Sequence, residues 1–318
     1  MPIAEGRTDI AGLLGVPDGT RVVVPHIDDV GMCHGANEAY ARLAGRGFIT
    51  SGSVMVPCPW FREAVDICAA DPALDIGVHL TLTSEWRRYR WRPLSTVAPS
   101  SGLLDADGYM WRTVAELRAN AHPEAAAVEM RMQLERALAA GLDVTHLDAH
   151  MAAALSPELA EGYLRLGVEY GLPVLFPRDP RLFFSAFRPG GIDWSRYEGL
   201  LALLDRSGMP ALDHFAMTPG VPASEVEAAY KGLVSSVPAG FSMLAFHCNA
   251  PGDIETIVPD RAHWRTDEYA LFSTPEFCGW VAAQGLRLTG FREIRDRLRA
   301  RRAGKAGGSA RDRGHSSG

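Results

Sequence analysis

The sequence predicts an α/β protein: a single (β/α) barrel-like domain of mostly parallel strands, with an incomplete or seven-stranded barrel as its closest description. Three observations carry this. Short apolar runs alternate with helical stretches from end to end, as in units whose helical crossovers lay strands parallel. About seven or eight such units favour a closed or nearly closed barrel over an open sheet. Unusual polar residues also fall at the carboxyl ends of the apolar runs, where such folds place their ligands.

Taken in order, Arg21 to Pro25 reads as the first strand, with a helix near 36–44. A second strand at 51–56 precedes a helix near 61–69, and a third strand follows at 77–83. A long amphipathic helix is expected over 114–140, then a strand at 144–148. Later strands are expected at 173–176, 211–215, 242–246 and 286–288. The accompanying helices fall near 157–170, 195–205, 224–235, 275–284 and 291–301. Two stretches interrupt the pattern. Residues 84–111 carry Trp86, Trp91 and Trp111 among arginines, and 249–264 are rich in Pro, Gly and Asp; long loops of this kind are more often functional than ordinary connections. Residues 1–20 read as an N-terminal extension, 21–302 as the folded domain, and the Gly-, Ser- and Arg-rich stretch 303–318 as a disordered tail.

The chain has 318 residues, 47% of them hydrophobic, enough for a sizeable core. A formal net charge of -6 argues against nucleic acid as a partner, since phosphates demand concentrated Lys and Arg. No apolar run approaches the ~20 residues that span a bilayer, so no membrane partner is expected. The first residues lack a basic stretch followed by an apolar one. Five scattered cysteines without a CxxC pair read as reduced thiols, and the expected location is cytoplasmic. Nothing in the sequence decides for or against a homo-oligomer.

The strand from Val22 runs through His26 straight into Asp28-Asp29. Adjacent carboxylates at the mouth of an apolar strand repel and lose water, costs that a bound cation would relieve; a turn capping the next helix is the bland alternative. In Gly77-Val78-His79-Leu80-Thr81-Leu82-Thr83, period-two alternation sets His79 opposite Val78, Leu80 and Leu82. In Val144 to His150 the same alternation aligns His146, Asp148 and His150. Three ionisable side chains on one strand face are hard to justify as packing, whereas metal ligation with supporting groups explains them. The late strand 241–246 ends on His247. Four strands thus deliver Asp, His, His-Asp-His and His to one rim. Two histidines and a carboxylate would leave metal positions open for water and substrate.

These stretches, together with Ile49 to Val56, resemble the YdjC-like carbohydrate deacetylase family over about residues 22–298. The resemblance implies a barrel-like α/β fold and a divalent metal, magnesium by family, with zinc or manganese also suited to the donors. It implies Asp29, His79 and His150 as ligands, Asp28 as general base and His247 as general acid. The implied reaction removes an N-acetyl group from an amino sugar or oligosaccharide. Another ester, lactone or amide would suit the same site, and a non-catalytic carbohydrate-binding relative is the remaining class. The sequence departs from the family pattern at Ala152 and Ala154, where alternate histidines often stand, and at Cys248 to Gly252, where Pro-Gly often follows the histidine directly.

Around this set, His26, His146 and Asp148 are expected to support the ligands, with a core role equally open for His26. Asp213, beside His214, could touch substrate. Arg178 could bind a sugar hydroxyl or carboxylate. Trp86, Tyr89 and Trp91 could stack on sugar rings or pin their loop. Arg87, Arg88 and Arg90 hint at an anionic substrate, and His34 and His263 read as solvent-exposed.

Overall fold

A computed structural model describes residues 8–179, 181 and 194–312. Residues 1–7 of the expected extension and 313–318 of the expected tail lie outside them. The strands are β1 (Arg21–Val30), β2 (Ser51–Val54), β3 (Ile76–Leu80), β4 (Leu147–Ala149), β5 (His214–Met217), β6 (Gly240–Phe246) and β7 (Arg287–Leu288). They form one mostly parallel seven-stranded sheet in the order β4-β3-β2-β1-β6-β5, with β7 on β1. Strand β7 pairs the start of β1 at Val22 and Val23, and β2 takes over the same edge from His26 onward. Among the described residues the ladder does not close. Between its ends, the segment around Val174 makes single parallel bridges, Leu147 to Val174 and Pro177 to Leu212. The wall is therefore barrel-like, joined on that side by isolated bridges where a strand at 173–176 was expected.

The apolar strand residues Val22, Val23, Val24, Ile27, Val78 and Leu80 are wholly buried, and the crossover helices cover the sheet. Two helices replace the long one expected over 114–140. Thr113 starts Val114–Asn120 with a capping box to Glu116, and Pro123 opens Pro123–Ala139, because proline suits a first turn but breaks a helix interior. The described part of the extension packs down: the helix Ile10–Leu14 buries Ile10, Leu13 and Leu14 in the main core. The last helix runs Phe291–Asp312, so it reaches into the stretch read as a disordered tail. The stretch 249–264 holds the short helix Ile254–Ile257 and the start of Ala262–Phe272, which the sequence pattern did not predict.

Residues 84–111 cross over the carboxyl ends of the strands. Glu129 accepts the Leu94 and Ser95 N–H groups at 3.0 and 2.7 Å, and Trp91 Nε1 donates to Thr83 O at 2.8 Å. Tyr89 donates to Met32 O and Arg90 pairs with Asp105 at 2.7 Å, so these aromatic and basic residues fasten the excursion down. A second apolar cluster of Met32, Met55, Trp91, Met110, Ile254 and Val258 forms beneath it. Among the described residues no helix is long and apolar enough to cross a membrane. All five cysteines are free.

Candidate active site

The rim of the sheet is shaped first by the backbone of β1. Its pairing with β2 runs Ile27 to Gly52 and then Val30 to Val54, so β1 carries one extra residue at Asp28-Asp29. Asp29 takes φ 62°, in the left-handed region that aspartate tolerates better than most residues. A regular strand would point neighbouring side chains to opposite faces; a bulge re-aims them, and here both carboxylates reach the same rim.

The neighbouring strands bring partners by register. His79 of β3 stands beside Asp148 of β4, and Nδ1 of His79 lies 2.9 Å from Asp148 Oδ1. Ser53 of β2 donates to Asp148 Oδ2 at 2.8 Å and lies 3.1 Å from His79 Nδ1. With Nδ1 turned to these groups, His79 presents Nε2 to Asp29 Oδ1 at 3.4 Å. His150 follows β4 directly and places Nδ1 3.1 Å from the same oxygen, with Nε2 3.0 Å from Glu85 Oε2. Met151 and Ala152 then continue with φ of 51° and 53°, a consecutive pair of strained residues where the chain turns away.

Asp29, His79 and His150 thus offer one carboxylate oxygen and two imidazole nitrogens within 4.8 Å of one another, all buried. That donor set could hold a divalent cation, and it leaves positions for water and substrate. Burial alone would push the Asp29 carboxyl up, but Arg265, 2.8 Å from Oδ2, and the two imidazoles hold it well below the usual carboxylate range. Burial likewise disfavours a charged His79, yet Asp148 and Asp28 raise it well above the usual imidazole value. Against burial, Glu85 and Asp29 lift His150 to about 9. A concentrated negative field of this kind attracts protons and cations to the same lone pairs.

Among the described residues two other groupings come equally close: Asp28, His79 and Asp148, which overlaps the first, and His26, His146 and Asp148 below it. In the latter the ring nitrogens already face partners. His26 Nδ1 meets Asp28 Oδ1 at 2.8 Å and its Nε2 meets His146 Nε2 at 3.0 Å, while His146 Nδ1 meets Thr145 Oγ1 at 2.9 Å. Burial and the neighbouring His26 push His146 well down, so it is neutral. This row stands behind Asp28 and fixes one of its oxygens.

Asp28 and His247 face outward, with side chains 14% and 17% exposed, and so are placed to meet a substrate. Residue Ile27 of β1 pairs with Phe246 of β6, which sets the next residues side by side. His247 Nε2 lies 4.0 Å from Asp28 Oδ2. Burial and then Arg265 push His247 below its usual value, so it rests neutral. These groups open into a cavity of about 990 Å³ that Trp86, Arg87, Arg88, Met217 and Arg261 also line, a size suited to a small molecule.

Two expected residues are elsewhere. Arg178 makes a double ion pair with Asp205 at 2.9 and 3.0 Å, and Asp213 accepts the Phe241 N–H at 3.0 Å near the start of β6, the opposite end from the site. His34 is exposed but pairs with Glu63 at 2.9 Å. Ser53, Glu85, Arg265 and Glu268 join the site without having been singled out from the sequence. The acidic Glu85 beside Trp86 was the one available signal; Arg265 and Glu268 lie on the unpredicted helix Ala262–Phe272.

The family model described as "YdjC-like protein" matches residues 22–283. A protein named carbohydrate deacetylase from Thermus thermophilus is 34% identical over 268 residues, covering 84% of this chain and 92% of that one. Another of that name from Brevibacillus brevis is 34% identical over 155 residues, 49% of this chain and 59% of the other. Among solved structures, a putative cellobiose-phosphate cleavage protein from Enterococcus faecalis V583 superposes with a TM-score of 0.68 at 18% identity, covering 86% of this chain and 99% of that one, which shows a shared fold.

Proposed function

Because the chain belongs to the YdjC-like protein family, we propose that it is a metal-dependent carbohydrate deacetylase that hydrolyses an N-acetyl group on an amino sugar or oligosaccharide. One observation carries the reading: a carboxylate and two imidazoles converge at the floor of a cavity whose mouth holds a second carboxylate and a neutral histidine.

Asp29, His79 and His150 would hold the cation. When bound, it would lower the pKa of a water and polarise the acyl carbonyl. Asp28 accepts the proton of the attacking water on Oδ2, since His26 occupies Oδ1. His247 rests neutral, takes that proton across the short gap on Nε2, and delivers it to the leaving amine; an unassisted amide anion is a very poor leaving group. Asp148 and Ser53 keep Nδ1 of His79 engaged, so its Nε2 stays free for the cation. Arg265 neutralises the far oxygen of Asp29 and fixes its plane. Trp86 offers a ring for sugar stacking beside the catalytic pair.

Zinc, manganese and magnesium are the cations to compare. The test is acetate release from a panel of N-acetylated sugars, using metal-free protein and protein given each cation. Metal-dependent acetate from any member is the expected result. A folded, metal-loaded protein that releases none from the whole panel would overturn the reading and move attention to another acyl group.

A further inference from the structure

Glu268 is a carboxylate that the acid–base pair does not itself call for, yet it is wholly buried behind His247. Thr218 Oγ1 and Tyr230 OH both donate to its Oε1 at 2.5 Å, and the backbone N–H of His247 donates to Oε2 at 2.7 Å. Arg265 and Asp267 on its own helix and Cys248 beside it complete the charged and titratable surroundings. Burying a carboxylate is costly, and a position that keeps one with three donors is organised around its charge.

The protons along this row can be assigned. Burial lifts the Glu268 carboxyl to about 7, so above that pH it is ionised and can only accept, and the single Thr218 hydrogen then lies toward it. The Thr218 oxygen is then left to accept from His247 Nδ1, 2.8 Å away. His247 therefore carries its hydrogen on Nδ1 and turns a bare Nε2 toward Asp28. We propose that Glu268, acting through Thr218, is a positioning residue that locks His247 in the Nδ1–H form and places a negative charge behind the imidazolium formed during turnover. The proton moves from the Asp28 carboxyl to His247 Nε2 and then to the amine nitrogen; the Nδ1–H bond persists, and Thr218 neither gains nor loses a proton. Asp28, Asp29, His79 and Arg265 are the charged and titratable groups that act on the other side of the ring. This inference rests on His247 as the proton donor proposed above.

The experiment labels the histidines with ¹⁵N and reads the His247 nitrogens by NMR, assigned by their loss in His247→Gln. At about pH 8.5, above the value of about 7 to which burial lifts Glu268, the wild-type protein is expected to show a protonated Nδ1 and a bare Nε2. In Thr218→Val, which keeps shape but removes the hydroxyl, that form is expected to give way to a mixture or to the other tautomer. With it kcat should fall by roughly 10- to 100-fold at nearly constant KM, a share of the ~10²–10⁴ that a positioned acid–base group contributes. Thr218→Ser should return both readouts toward wild type. A wild-type ring protonated on Nε2, or a Thr218→Val protein with unchanged tautomer and kcat, would overturn the inference. The nitrogen shifts are read without substrate, so a protein that releases no acetate would defeat the deacetylase reading while the tautomer still judged this one.

Discussion

Replacing Gly77 by alanine tests how tightly the row behind Asp28 is built. An added Cβ would stand 2.4 Å from Cε1, 2.5 Å from Nδ1 and 2.6 Å from Nε2 of His146. Ordinary contact is about 3.5–4.0 Å, so the ring would have to retreat by about 1 Å. Phe291 blocks the retreat, stacked on His146 with centroids 3.9 Å apart. The ring is also tied to His26 at 3.0 Å and Thr145 at 2.9 Å. Overpacking costs about 1–3 kcal/mol, and losing a buried hydrogen bond about 1–3 more. Gly77→Ala is therefore expected to lose roughly 3–4 kcal/mol in urea denaturation of the metal-free protein followed by tryptophan fluorescence. Phe291→Leu opens space behind the ring, so in that background the Gly77→Ala cost should shrink by about 1–2 kcal/mol, the coupling expected of residues that share a contact. A Gly77→Ala protein within about 0.5 kcal/mol of wild type, or costs that simply add, would refute the reasoning.

Three further outcomes follow from the site. Asp28→Asn should keep the cation, by calorimetric titration, and lose at least ~10² in kcat, whereas Asp29→Asn should lose the cation itself; equal activity in Asp28→Asn would remove that residue as the base. Loading a cation at pH 7 should expel about one to two protons, because His79 is raised and His150 lies at about 9 before loading. Titrations in two buffers of different ionisation enthalpy measure the release, which should shrink above pH 9, and no release at pH 7 would argue against these imidazoles as ligands. Burial lifts the Glu268 carboxyl from 4.5 to about 7. A carboxyl raised on folding gives stability that is complete below its unfolded value and is lost as pH rises through the folded one. That loss reaches about 3 kcal/mol by pH 8. Glu268→Gln cannot ionise and should show a flatter fall in stability between pH 5 and 8; parallel curves for the two proteins would refute the assignment.

The fold was legible where periodicity and chemistry agreed. Strands β1, β3 and β6 are largely apolar runs, and they and the Ser- and Gly-containing β2 lie close to their expected positions. The misplaced elements have local causes. Pro123 divides the long helical pattern, because a helix pattern survives proline in the sequence although the backbone does not. The expected strand at 173–176 makes only single bridges on either side, a distinction of pairing that no apolar count can express. The helix Ala262–Phe272 was hidden because its residues alternate charge and bulk without a clean apolar stripe, and because Pro, Gly and Asp just before it read as loop.

The same division explains the site. Asp28, Asp29, His79, Asp148, His150 and His247 could be picked out because they are costly residues at the ends of apolar strands, and the strand supplies the comparison that makes them unusual. Their convergence depends on something weaker in the sequence, the extra residue of β1 and the positive φ of Asp29, since without the bulge adjacent carboxylates would face apart. Arg265 and Glu268 are ordinary residues for a surface helix; only packing that helix against the end of β6 buries them, and burial is what converts them into a partner for Asp29 and a partner for Thr218. Helix Ala262–Phe272 therefore acts on both halves of the proposed chemistry at once, with Arg265 on the ligand side and Glu268 on the acid side, three residues apart and so on one face. A displacement of this helix should disturb cation affinity and proton delivery together, whereas a change confined to Thr218 should reach proton delivery alone.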